Sequence, residues 1–303
     1  MEKIATVEQN YGIDLLCTLF GKTRQAYYKR DKVNFKQQVN NDLILTMVKK
    51  IREKQKRLGG RKLLSIVSKE ITTDQQIGRD AFFDLLRQHG LLVRKRRTRA
   101  ITTNSFHWLH KYPNLIREFV PLRPNQLWVS DITYIRTDAG FVYLFLITDA
   151  YSRKIIGWCL SETMEAINAM EALHMALSQL PANCPELIHH SDRGIQYCSA
   201  KYVKCLEKQG IKISMTENGD PYENAIAERV NGILKTEWLY DMNLVDYAEA
   251  KEAISSIIDI YNTERPHSSI EMLTPNEAHK MHGQLIRLWK SYRKIKLLEE
   301  EQK

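Results

Sequence analysis

Three acidic side chains stand at positions where acids are unexpected. Asp131 interrupts the apolar and β-branched run Leu127-Trp128-Val129-Ser130-Asp131-Ile132-Thr133-Tyr134-Ile135. Asp192 follows directly on a second strand-like run, in His189-His190-Ser191-Asp192-Arg193-Gly194. Glu228 lies on a helical stretch, Asn224-Ala225-Ile226-Ala227-Glu228-Arg229-Val230-Asn231. Singly, each has an ordinary use: Asp131 bonds a backbone amide, Asp192 caps the turn to Gly194, and Glu228 is a solvated helix residue. Together they make chemistry. An ionised Asp inside a strand needs a partner, and gathered carboxylates repel unless a hard cation sits among them. Mg²⁺ takes one or two carboxylates, waters and a phosphate oxygen. Two such ions about 4 Å apart activate an attacking oxygen and stabilise the leaving one in an in-line phosphoryl transfer.

These residues need elements to hold them. After Pro124 the pattern predicts strands over Leu127–Ile135, Phe141–Thr148 and Lys154–Leu160, close enough in sequence for an antiparallel meander. A helix over Ala166–Leu180, a strand over Glu186–His190, a helix over Ala200–Gln209, a strand over Ile211–Met215 and a helix over Tyr222–Tyr240 follow. The order βββαβαβα is α/β with a mixed sheet. On the last helix Asn224, Glu228, Asn231 and Lys235 share one face, while Ile226, Val230, Ile233 and Leu234 share another. The first face would line a cleft, where Lys235 could reach a nucleic-acid backbone. The second would pack on the sheet.

The region upstream reads as helical and basic. Ile13–Phe20, Gly21 and Lys22–Arg30 fit a helix-turn-helix. Leu43–Arg57, broken by Gly59-Gly60-Arg61-Lys62, Leu63–Glu70 and Ile77–Arg87 fit a second helical unit. Arg94-Lys95-Arg96-Arg97-Thr98-Arg99 closes the region, and Arg94, Lys95, Arg96, Arg97 and Arg99 read as phosphate contacts together with Arg61 and Lys62. The net charge of +9 is unevenly divided: residues 1–130 carry +15, residues 131–250 carry −7 and residues 251–303 carry +1. A basic front half points to a polyanion partner, and an acidic middle suits a metal site. The boundaries expected are a helical DNA-binding region over 1–99, a linker over 100–124, a catalytic core over 125–243 and a helical extension over 244–303.

The same three acids carry a resemblance. Thirty-five residues separate Asp192 from Glu228, and Lys235 stands seven past Glu228, a spacing similar to the DDE pattern of the retroviral-integrase superfamily. Trp128–Tyr134, His190–Tyr197 and Tyr261-Asn262-Thr263-Glu264-Arg265-Pro266-His267 resemble the OrfB product of bacterial two-frame insertion sequences. So do Gly60-Arg61-Lys62 and Pro113-Asn114-Leu115. The resemblance implies an RNase-H-like core: a mixed sheet flanked by helices, here preceded by the all-α region. It implies Mg²⁺ or Mn²⁺, two ions, held by Asp131, Asp192 and Glu228 as catalytic residues. The implied activity is that of a DNA transposase, which cleaves the element's ends with water and joins the freed 3′-hydroxyl to target DNA. The implied partners are double-stranded DNA, further copies of the chain on paired ends, and the product of an upstream OrfA frame.

Other readings narrow the picture. No apolar run reaches the ~18 residues of a membrane span and the start of the chain lacks a signal pattern, so a bacterial cytoplasmic, nucleoid-associated protein without a membrane partner is expected. Five scattered cysteines with no C-x-x-C pair read as reduced thiols, and His107 with His110 reads as surface and not as a zinc site. Asp149 reads as holding a turn or pairing with Arg153 and not as a metal ligand, His189 and His190 as structural, with His190 beside Asp192 within reach of the site, and Trp128 and Trp158 as core. Gln196 and Tyr197 fit either an unpaired nucleotide or packing. Two alternatives stay open: a metal-dependent nuclease that never joins strands, and a DNA-binding regulator with an inert core.

Overall fold

The computed structural model describes residues 12–94, 109–181, 184, 186–217, 223–286 and 288. They fall into two compact units: Met1–Glu53 with Val67–Leu92, and Lys54–Ile66 with Val93–Lys303.

The first unit is helical. Helix α1 spans Ile13–Leu19 and α2 spans Arg24–Lys54. Between them Gly21 adopts a left-handed φ of 62°, and the amide of Lys22 bonds the carbonyl of Cys17 at 2.8 Å, a glycine-closed helix end. The sequence reading of a short helix over Lys22–Arg30 and a separate one from Leu43 is corrected here. Residues 31–42 contain neither Gly nor Pro, nothing breaks the helix, and one element of 31 residues results. Helix α3 (Gly60–Glu70), whose residues from Val67 on belong to this unit and whose earlier residues belong to the second, and helix α4 (Arg79–Gln88) follow. Ile44, Leu45 and Val48 of α2, Val67 of α3 and Phe82, Leu85 and Leu86 of α4 are buried. The Asn40 amide on the Gln75 carbonyl (2.8 Å) and Arg52 on the Leu91 carbonyl (3.1 Å) tie α2 to the segments around α4.

The second unit is built on five strands, β1 (Leu127–Thr137), β2 (Gly140–Asp149), β3 (Ile155–Ser161), β4 (Ile188–Ser191) and β5 (Lys212–Met215), in the order β3-β2-β1-β4-β5. The first three form the expected antiparallel meander, and β4 and β5 add in parallel. Helices α5 (Ala166–Ser178), α6 (Ala200–Lys208), α7 (Ala225–Glu237), α8 (Tyr247–Thr263) and the four-residue α9 (Pro275–Ala278) complete it. This is the mixed α/β core the resemblance implies.

Both sheet faces are covered. Phe145 and Ile147 of β2 join Leu173 of α5 and Tyr202 and Leu206 of α6 in one core. Leu144 and Leu146 join Val230, Ile233 and Leu234 of α7 and Ile254, Ile257 and Ile258 of α8 in another. Alternate β2 side chains point to opposite faces, and both faces are dry, so the strand reads as an unbroken apolar run. Close approach on the first face depends on Gly157, where an added Cβ would stand 2.2 Å from the Ala172 carbonyl oxygen. The Leu115 amide bonds Ser214 Oγ at 2.9 Å, and the Asn114 amide bonds Glu217 Oε1 at 2.9 Å. The segment around Pro113-Asn114-Leu115 thus covers the β5 edge.

Candidate active site

The parallel pairing of β1 with β4 sets the site. Leu127, Trp128 and Val129 stand opposite Ile188, His189 and His190, and the same offset, carried two residues past the last of these pairs, sets Asp131 beside Asp192, whose charge acts on it. One carboxylate comes from inside a strand and the other from the residue just past a strand end. Asp131 Oδ1 accepts its neighbour Ile132's amide at 2.9 Å, and Oδ2 accepts the Asn231 amide of α7 at 2.8 Å. Asp192 Oδ1 accepts the Gly194 amide at 3.0 Å. An added Cβ on Gly194 would lie 2.9 Å from that oxygen, so the turn needs glycine.

Glu228 occupies the first turn of α7, exposed. Among the described residues no three His, Cys, Asp or Glu side chains are already drawn together around a metal-sized space. Asp131 and Asp192 are neighbours, and the Glu228 charge also acts on Asp131 from the helix. Burial, with the Asp192 charge adding to it, pushes the Asp131 carboxyl up to about 7. Partial loss of water around it also raises the Glu228 carboxyl from its ordinary value. Burial lowers Lys235, against the pull of the Asp131 charge, and its ammonium lies 4.2 Å over the Tyr134 ring. The donor set is all hard oxygen, and Asp131 resists ionising until a positive charge arrives. Both properties fit a divalent cation of the Mg²⁺ type.

The remaining expectations fall into three groups. Asn231 and Asn224 are buried. The first orients Asp131 and the second donates to the Ser130 carbonyl at 3.0 Å. Lys62 is ion-paired with Glu237 at 3.3 Å. These three side chains, assigned to DNA from the sequence, bond within the protein, because amides and amines near a carboxylate or an open carbonyl are drawn to them. Arg61 and Arg94 are exposed, and Lys95, Arg96, Arg97, Arg99 and His107 lie outside the described residues.

The structural readings find their contacts. Asp149 accepts the Ser152 hydroxyl and amide and the Asn125 amide, holding the turn after β2. His189 bonds Ser130 and Tyr202, and His190 bonds Ser214. Burial lowers them to about 3 and about 4, so both are neutral. Gln196 is buried with its amide on the Met164 carbonyl, Tyr197 packs edge-on to Tyr202, Trp128 is in the core beneath α5 and α6, and Trp158 is partly buried against the other core, beneath α7 and α8.

Known proteins resemble this chain along most of its length. Residues 121–221 match one integrase core domain family and residues 209–275 match a second of the same description. The "Insertion element IS600 uncharacterized 31 kDa protein" of Shigella sonnei is 35% identical, covering 89% of this chain and 99% of its own length. The "Transposase for insertion sequence element IS629" of the same organism is 31% identical over 92% of this chain and 95% of its own. Among solved structures, the HTLV-2 integrase catalytic core domain in complex with magnesium aligns at 20% identity and a TM-score of 0.43, over 53% of this chain and 99% of that one. No helix among the described residues is long and apolar enough to cross a membrane. By its full-length relatives and its integrase core, the chain belongs to the insertion-sequence transposases of the IS3 family, OrfB type.

Proposed function

We propose that this chain cuts and joins DNA at the ends of its insertion sequence, with Asp131, Asp192 and Glu228 as the catalytic carboxylates. The observation that carries this is the register of β1 and β4, which brings two acids together where one of them is held near neutral. When bound, Mg²⁺ or Mn²⁺ ions supply charge neutralisation and activation of the attacking oxygen. Asn231 fixes the rotamer of Asp131, and the Gly194 amide fixes Asp192. Lys235, above Tyr134 and close to Asp131, contacts a backbone phosphate. In the first step water adds to phosphorus, the bond to the bridging 3′ oxygen breaks, and that oxygen leaves as a hydroxyl after taking a proton. In the second, the 3′-hydroxyl adds to a target phosphorus, losing its proton, the bond from that phosphorus to the target's own bridging 3′ oxygen breaks, and that oxygen leaves as a hydroxyl after taking a proton.

The duplex is gripped through the basic front region, with Arg61, Arg94 and the run to Arg99 on phosphates. The chain works as more than one copy on paired ends in the bacterial cytoplasm, alone or with an OrfA product. Asp131→Asn, Asp192→Asn and Glu228→Gln are each expected to slow strand transfer of pre-cleaved end DNA by roughly three orders of magnitude, the loss of several kcal/mol of charge stabilisation. Duplex binding in the absence of divalent cation should be unchanged. Near-normal joining by any of the three variants would refute the assignment, and cutting without joining by the unaltered chain would make it a nuclease.

A further inference from the structure

Residues 54–66 belong to the same compact unit as the sheet, far upstream of it in sequence. They grip the ends of α7 and α8. Trp238 Nε1, just past α7, donates to the Lys54 carbonyl at 2.8 Å, and Arg57 stands 3.8 Å from Asp241. Leu58 and Leu63 are fully buried. Lys62 Nζ lies 3.3 Å from Glu237 Oε1. Arg265, wholly buried, closes on the same carboxylate with two bonds, Nη2 to Oε1 at 2.7 Å and Nε to Oε2 at 2.8 Å.

Glu237 is the last residue of α7, an end where the helix dipole disfavours a carboxylate. It stands nine positions past Glu228, about two and a half turns, which puts it on the opposite side of the helix in line with Val230 and Ile233. A buried acid there stays only while both cations hold it. We propose that Lys62 and Arg265, acting through Glu237, are positioning residues that set the rotation of α7 and so the reach of Glu228 toward Asp131 and Asp192. A 20° turn of the helix would move a carboxylate about 6 Å from its axis by roughly 2 Å, and misplacement of about 1 Å is enough to be felt in catalysis. The proposal rests on the catalytic reading above. It gives Lys62 a role inside the catalytic unit in place of a phosphate contact.

The test uses the full chain with Lys62→Met, Lys62→Arg and Glu237→Gln. Mn²⁺ binding is measured calorimetrically without DNA, beside melting temperature and strand transfer at subsaturating Mn²⁺. Lys62→Met and Glu237→Gln are expected to bind Mn²⁺ about tenfold more weakly, with strand transfer falling in step and Lys62→Arg close to the unaltered chain. A lowered melting temperature with unchanged Mn²⁺ affinity would reduce the cluster to a structural clasp and overturn the proposal. If Lys62→Met does not fold, Glu237→Gln, which keeps the hydrogen-bonding shape, decides by the same readout. Failure of the unaltered chain to bind Mn²⁺ or join ends would show before any variant, and would remove the catalytic reading and this proposal with it.

Discussion

Asp131 is where proton and cation compete. Its carboxyl is held up to about 7 by burial and by Asp192. A group raised in the folded state stabilises that state fully below its unfolded value, near 4, and the contribution is lost as pH rises through 7. Cation binding runs the other way, because the ligand must be ionised. Below pH 7 the affinity for Mg²⁺ should therefore fall by up to about tenfold per pH unit. Thermal melting checks this: the upward shift given by Mg²⁺ should be larger at pH 8 than at pH 6, and Asp131→Asn should flatten the difference. Asp131 and Asp192 stood out in the sequence because a charge inside an apolar strand, and one directly after a strand, are out of place; Glu228 was singled out by its helix face and its spacing from Asp192. Asn231 was assigned to DNA because an amide on a polar helix face reads the same whether it turns to a phosphate or to Asp131. Glu237 was missed, although its spacing from Val230 and Ile233 puts it on the packed side of α7, where a lone acid calls for cations.

At the scale of elements, the sheet was readable because its apolar runs are short, β-branched and separated by turn residues. The antiparallel meander followed from the short connections, but the β1–β4 pairing did not, since nothing local fixes a partner some sixty residues away. The long helix α2 shows the reverse failure: two amphipathic stretches were legible, and the uninterrupted polar stretch between them carried no stop signal either way. Packing on the α5 face turns on Gly157, whose Cα faces the Ala172 carbonyl and the Ala176 side chain. Gly157→Ala should push α5 away from β3 and lower stability by about 1–3 kcal/mol, read as a lower denaturation midpoint with an unchanged denaturant slope. A variant as stable as the original would mean that the helix yields freely.

Across the whole molecule, charge is unevenly divided, +15 in residues 1–130 against −7 in residues 131–250. Duplex binding should weaken steeply with salt, and replacing exposed Arg61 and Arg94 with Ala should lower the log–log salt slope by about 2. Asp192→Asn should leave that slope alone. A slope unmoved by the arginine changes would place the grip elsewhere. The register of β1 with β4 also has a bearing on the order of events as the chain is made. The β1–β2 hairpin closes over a two-residue turn, whereas Asp131 meets Asp192 only after the intervening meander and α5 have been traversed. Pairings of such long sequence separation form late. A ribosome-bound or half-folded chain already carries the basic front region, but its two acids are not yet side by side.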